Sequence, residues 1–353
     1  NQITQYMAKI KWKTQREAFI EALTYLKGRQ QGTITSLLTP WSSFNDATTN
    51  GIEWHTTTVI GARPATGKTM IKDIIVAKAF ELNPLMKFRV LEFQFEMVGK
   101  ATAIRSFSAH LGKSYKYMCS AEKNQKLEDI ELKICAEFAK EKLKYPIDLV
   151  ENPCTVIEFC EIIETYMQKY AYKETVNVNV RKEDGTIENK EVSETRYTPT
   201  FITLDHSLLL TRGPSEKSDQ DTLYSLGRAL TSLKRKYPIS FLILSQLNRD
   251  IDKPERNEDG KYGNFILESD LFGADALLQH ADTVVGLNRP GKQKLTYYGT
   301  ERYMINKDEN ILAMHFLKCR NGATGVAFFR TDFKIASIIG MDAPAKHVRG
   351  LKI

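Results

Sequence analysis

A strand that runs straight into a lysine-bearing turn constrains this chain more than any other feature. Residues 56–62 read Thr-Thr-Thr-Val-Ile-Gly-Ala, a β-prone stretch with no charge, and residues 63–69 follow as Arg-Pro-Ala-Thr-Gly-Lys-Thr. A glycine that opens a helix lets backbone N–H groups and the positive helix end approach a phosphate. The usual spacing, G-x-x-x-x-G-K-[ST], asks for glycine at position 62, where this chain has alanine; Gly61 comes one place early. A small residue such as Ala62 is tolerable there, and Pro64 stiffens the turn. The stretch Ala62, Arg63, Pro64, Ala65, Thr66, Gly67, Lys68 and Thr69 is therefore read as a phosphate-binding loop. Lys68 reaches the outer phosphates, and the Thr69 hydroxyl is placed for Mg²⁺. Gly-Lys-Thr alone is a weak signal; the strand before it and the helix after it supply the context.

From about residue 56 the same alternation continues. Short apolar runs at "FRVLEFQF", "TFITLD", "ISFLILSQ", "ADTVVGLN", "LAMHFLKC" and "GVAFFR" are separated by helix-length stretches such as 98–112, 155–172 and 221–236. Strands alternating with helices predict an α/β fold, a mainly parallel sheet with helices on both faces. One piece breaks the rhythm. "TVNVNVRKEDGTIENKEVSETRY" alternates apolar and polar residues around Asp184-Gly185, which predicts a β-hairpin insertion, placed at 174–197. Ahead of the sheet, residues 14–29 predict a helix, with Thr14 and Glu17 at capping-box spacing and Phe19, Ala22, Leu23 and Leu26 on one face. That apolar stripe needs a partner, either the chain's own core or a neighbouring copy. The chain thus divides into a helical region at 1–34 and the main α/β domain at 35–353.

Several residues carry candidate chemistry. Asp205 ends "FITLD", and an acid at the carboxyl end of a buried parallel strand faces the crevice where nucleotides bind, so it can hold Mg²⁺. Glu96 can orient an attacking water, although Glu92, Gln94 and Glu96 recur at period two and also read as a polar strand face. Gln246, at the end of another apolar run, can report a γ-phosphate. Lys318 and Arg320, in "LKCRNGATG", suit a phosphate across a subunit boundary.

Composition adds bounds. Fifty Lys and Arg against 43 Asp and Glu give a net charge of +7, compatible with a polyanion partner but selecting none by itself. Five scattered cysteines form no C-x-x-C and read as reduced thiols in a cytoplasmic protein. No apolar run is long enough to span a bilayer.

Taken in order, these pieces resemble the ATPase domain of the DnaB-type replicative helicases, a hexameric branch of the RecA-like P-loop NTPases. That family's loop has alanine first, as in Ala62-Arg63-Pro64 followed by Gly67-Lys68-Thr69. The likeness continues through "FEM" at 95–97, "LDHSLLL" at 204–210, "SQLNR" at 245–249, "ESDLFGADALLQHAD" at 268–282 and "KCRNGATG" at 318–325, covering roughly residues 35–335. The resemblance implies ATP and Mg²⁺ as cofactors, with Lys68 and Thr69 on the phosphates and metal and Asp205 as the Walker B acid. It also implies Glu96 as catalytic carboxylate, Gln246 as phosphate sensor, and Lys318 and Arg320 reaching a neighbour's ATP. The helix at 14–29 becomes the linker that docks on the next protomer. The implied activity is 5′→3′ unwinding by a hexameric ring on single-stranded DNA, with primase and helicase loader as partners, in a bacterial or virus-infected bacterial cytoplasm. A RecA-like ATPase that binds DNA without unwinding it, or a nucleotide-gated scaffold, stays open beside it. The family's DNA-binding loop usually carries Arg-Glu before a glycine; here the match gives Phe272, Gly273 and Asp275, so Phe272 and Gly273 become the contacts on that loop. Arg212 and Lys217, in the loop after the Walker B strand, are further candidates for the strand.

Overall fold

The structure, a computed structural model, describes residues 12–96, 99–122, 126–181, 187–257, 265–271 and 273–347. The chain falls into two compact units, Asn1–Ser36 and Leu37–Ile353. In the first, helix Gln15–Gln30 begins on a capping box: Thr14 Oγ1 accepts from the Glu17 N–H, and the Glu17 carboxylate accepts from the Thr14 N–H. Phe19, Leu23 and Leu26 are all exposed.

Among its described residues the second unit is built on thirteen strands: β1 Thr57–Ala62, β2 Arg89–Gln94, β3 Ile147–Val150, β4 Ala171–Arg181, β5 Ile187–Tyr197, β6 Thr200–Asp205, β7 Ile239–Gln246, β8 Thr283–Asn288, β9 Tyr297–Tyr298, β10 Tyr303–Met304, β11 Ile311–Cys319, β12 Gly325–Asp332 and β13 Ser337–Met341. Nine of them form one sheet in the order β13-β12-β11-β8-β1-β7-β6-β2-β3. The run from β3 to β8 is parallel, and β11, β12 and β13 extend it antiparallel. The fold class is thus the one the alternation predicts, with an antiparallel edge added. β4 and β5 pair antiparallel from Ala171↔Tyr197 to Arg181↔Ile187 as a separate ribbon. The helix read as ending at 172 stops at Lys169, because the ribbon takes over at Ala171.

Both faces of the parallel strands are covered. Side chains alternate across a strand, and here the alternation sorts them into two cores. Val59, Ile202, Leu204, Phe241 and Ile243 pack with Phe159 and Ile163 of helix Val156–Lys169 and with Leu223, Leu226 and Leu230 of helix Asp219–Lys236. Their neighbours Ile60, Phe201, Leu242 and Leu244 pack with Ile71, Ile75 and Ala79 of helix Lys68–Leu82. Burial on both sides is why these strands read as unbroken apolar runs.

A third, smaller core lies where β11 meets β9 and encloses a polar network. His315, 2% exposed, sits with Nε2 2.7 Å from the Tyr298 hydroxyl, which also accepts from Asn288 Nδ2 at 3.2 Å. With Asn288 donating, the Tyr298 O–H donates to His315, which is neutral. Burial pushes the His315 pKa down from 6.5 to about 3. The unfolded chain takes up a proton near pH 6.5 that the folded one refuses, so this contribution to stability is intact above pH 6.5 and is lost as pH falls towards 3. Unfolding free energy measured by urea melts should fall by about 1.4 kcal/mol per pH unit from this group below pH 6.5. A His315→Gln chain should lose that part of the slope.

Candidate nucleotide-binding site

Two glycines shape this region, one inside the loop after β1 and one in β1 itself. Gly67 has φ 112°, and Ala65 is also left-handed at φ 59°. A Cβ on Gly67 would lie 2.8 Å from the Phe333 ring, so this position requires glycine both for its backbone and for the ring above it. Ala62, by contrast, is an ordinary strand residue, buried and paired with Gln246 and Leu287. The early Gly61 serves packing: a Cβ there would come within 2.4 Å of Leu271 Cδ1. Arg63 is drawn away from the loop by Asp252, at 2.8 Å, and by the Leu247 carbonyl, at 3.1 Å.

Lys68 and Thr69 open helix Lys68–Leu82. Lys68, 8% exposed, donates to the Ser245 carbonyl at 2.9 Å, which brings its ammonium to the end of β7. Burial lowers its pKa to about 8, while Asp205 and Glu96 pull in the opposite direction. The Thr69 side chain hydrogen-bonds Asp205. Register sets the rest: Gln94 of β2 lies beside Asp205 of β6, and Ala62 of β1 beside Gln246 of β7. Lys68, Thr69, Asp205, Gln246 and Glu96 therefore gather at the carboxyl ends of adjacent parallel strands, the crevice where open α/β sheets take ligands. Glu96 is exposed.

Asp205 is 3% exposed, and burial raises its pKa against the opposing pull of Lys72 and the Thr69 hydrogen bond. Among the described residues its Oδ1 has no hydrogen-bond partner, and neither do Gln94 Nε2, His206 Nε2, Ser207 Oγ and Ser245 Oγ at or just beyond the same strand ends. Buried polar atoms are ordinarily paired; this concentration marks a place prepared for polar guests. Among the described residues no three His, Cys, Asp or Glu side chains converge on a metal position. A hydroxyl, one carboxylate and a ligand's own phosphate oxygens are nonetheless the donor set that suits Mg²⁺, which keeps most of its waters.

Over residues 38–336 the sequence matches the family model of the DnaB-like helicase C-terminal domain. The chain belongs to that family. Its structure resembles a DnaB-like replicative helicase described with its interactions with primase, at TM-score 0.68 and 18% identity over 91% of this chain and 68% of that one. It resembles the ATPase domain of G40P at TM-score 0.68 and 17% identity, over 91% and 98% respectively. No curated protein matched the sequence.

In this DnaB-like domain Lys318 and Arg320 do not join the crevice. β11 runs antiparallel to β8, with Lys318 beside Val284 and Cys319 beside Thr283, whereas Ala62 lies beside Leu287. Three residues along β8 separate the two levels, on the order of 10 Å, and Arg320 lies farther still. Lys318 Nζ donates to the Leu278 carbonyl. Arg320 Nη1 lies 3.0 Å from Asp282 Oδ1, whose other oxygen accepts from the Thr57 N–H at 2.8 Å and from Lys234. Arg212 is engaged by Asp219 at 2.7 Å, and Lys217 is exposed. Gly273, φ 63°, starts the short helix Ala274–Leu278 with Leu223 packed against its Cα. Phe272 lies outside the described residues.

The sequence reading passed over three features of the site. Phe333 caps Gly67, and the Arg289 guanidinium lies 4.1 Å from the Phe333 ring centre. Lys292 donates to the Ala65 carbonyl at 3.3 Å. Behind the loop, Lys72, 1% exposed, pairs with Glu92 at 2.9 Å and Asp73 at 2.8 Å. Only the last had a local clue, a lysine one turn after Lys68 on the same helix face.

Proposed function

We propose that this chain is the engine of a ring-shaped helicase: it hydrolyses ATP with Mg²⁺ and moves on single-stranded DNA, 5′→3′ as in the family it belongs to. The loop from Ala62 to Thr69 would hold the triphosphate, and Thr69 and Asp205 would hold the metal, which screens phosphate charge. Glu96 would orient the attacking water and Gln246 would sense the γ-phosphate. Phe333, with Arg289 stacked on it, would wall the nucleotide beside Gly67. The exposed face of helix Gln15–Gln30 would dock on the next protomer, and residues 1–34 would act as that linker ahead of the motor at 35–353. Arg212, Lys217, Phe272 and Gly273 are the proposed contacts to DNA. A primase, whose interactions are described for the similar replicative helicase, and a loader are the proposed protein partners.

The observation that carries the reading is the separation of Lys318 and Arg320 from their own chain's loop. Cations at the far end of the sheet cannot touch that chain's γ-phosphate, but in a head-to-tail ring they face the next one. Asp282 would hold the Arg320 guanidinium by one edge and leave the other for phosphate. A mixing experiment tests this. Lys68→Ala and Arg320→Ala chains, each inactive alone, should regain turnover when combined, because about a quarter of the random interfaces pair an intact loop with an intact Arg320. No recovery under conditions of subunit exchange would refute action in trans. Release of the strand from a forked duplex by the unaltered protein, followed by gel, separates a helicase from an ATPase that only binds DNA.

A further inference from the structure

Where β2, β3 and β6 begin, at the end of the sheet away from the phosphate loop, the surface holds an open groove of about 550 Å³ walled by Phe80, Met86, Lys87, Arg89, Lys144 and Tyr145 among others. Its aromatic rings are already occupied on their faces. Phe80 is stacked between Phe88, at 4.3 Å, and Tyr145, at 4.7 Å. Arg89 lies 3.5 Å from the centre of the Tyr170 ring, and the Lys142 and Lys144 ammoniums stand 5.5 and 5.2 Å from the Tyr145 ring. A single-stranded nucleic acid binds by stacking bases on free ring faces; Phe80 has neither face to give, and Tyr145 and Tyr170 already carry cations.

The charges around the groove are unbalanced. Glu81 is engaged by Lys78 and Lys142, and Asp148 by Arg89. Lys87 and Lys144, both exposed, have no carboxylate partner among the described residues. Beside them in the chain stand two aliphatic side chains that the fold leaves in water, Leu85 at 98% and Leu143 at 82% exposure. Two leucines left in water beside a groove rimmed by unpaired cations give a partner apolar and charged contacts together.

We propose that this groove docks an acidic peptide segment of a partner protein, its carboxylates meeting Lys87 and Lys144 and its leucine or phenylalanine side chains meeting Leu85, Met86 and Leu143. Charge complementarity selects the occupant, and the capped rings disfavour a nucleic acid. Because the groove lies at the opposite end of the strands from Lys68 and Asp205, docking leaves the nucleotide crevice open, and the inference does not depend on the role given to that crevice.

Fluorescence anisotropy with a short labelled peptide of Glu, Asp, Leu and Phe tests it. The unaltered chain should bind this peptide, more weakly as salt rises. Lys87→Glu with Lys144→Glu should weaken binding about tenfold or more, the usual result of reversing two rim charges. Leu85→Ser with Leu143→Ser should weaken it too, but should leave unaffected an acidic peptide that has neither leucine nor phenylalanine. All four positions are at the surface, so thermal melting and ATP turnover should stay unchanged. Equal binding by the charge-reversed chain would overturn the proposal. So would competition by oligo(dT) that disappears with the same two lysines, which would make the groove a nucleic-acid surface.

Discussion

A Lys68→Ala chain is expected to hydrolyse ATP at least about 10²–10³-fold more slowly than the unaltered protein, the range seen when one preorganised contact to developing negative charge is removed. The expectation rests on where the ammonium sits. It is buried, fixed by the Ser245 carbonyl, and held within the field of Asp205 and Glu96. Burial makes its charge costly, as the pKa of about 8 records, and a triphosphate would relieve that cost. The same low polarity that lowers the pKa strengthens attraction to phosphate oxygens. Steady-state turnover with a phosphate-release assay measures the effect. Lys68→Met, which keeps most of the side-chain volume, should be as slow as Lys68→Ala if the ammonium matters and faster if packing does. Turnover unaltered in both chains would place the reaction elsewhere.

How much of this was legible beforehand follows from what each element is buried against. β1, β6 and β7 lie between two layers of helix, so their residues are apolar on both faces and stand out as runs. β3 is a short edge strand, Ile147–Val150, with Asp148 half-exposed and paired to Arg89, and carries no such run. β13 escaped notice in the same way, with only Ile338 buried. The phosphate loop was legible because its chemistry is local. The Phe333–Gly67 contact was not, since it joins positions 266 residues apart through a strand turn that has no helical or strand period of its own. Glu92 misled in an instructive way. At period two with Gln94 and Glu96 it reads as part of a solvated face, yet Glu92 and Gln94 are 4% and 3% exposed, one paired with Lys72 and the other bonded to Thr102. Period reports a shared face; it does not report whether water or a buried lysine lies against it.

That buried lysine supports the second large prediction. Lys72→Met should destabilise the domain by about 3–5 kcal/mol, the cost of breaking a buried ion pair from one side. Burial works against the Lys72 charge, but Glu92, Asp73 and Asp205 together outweigh it and hold the pKa above the ordinary lysine value. The balance works in both directions. Without the ammonium, the Glu92 carboxylate keeps, among the described residues, the Thr203 hydroxyl at 3.4 Å, and Asp73, whose pKa burial already raises, loses the cation that opposes this. Because the folded lysine is the more basic, its contribution is complete below the unfolded value of 10.5 and disappears only as pH rises beyond it, so urea melts at neutral pH report all of it. Lys72→Met with Glu92→Leu removes both ends and should recover most of the loss, since an apolar pair of similar volume needs no compensation. A double variant as unstable as the single one would mean that Lys72 acts chiefly through Asp73 and Asp205, and the Lys72–Glu92 pair would then contribute little of its own.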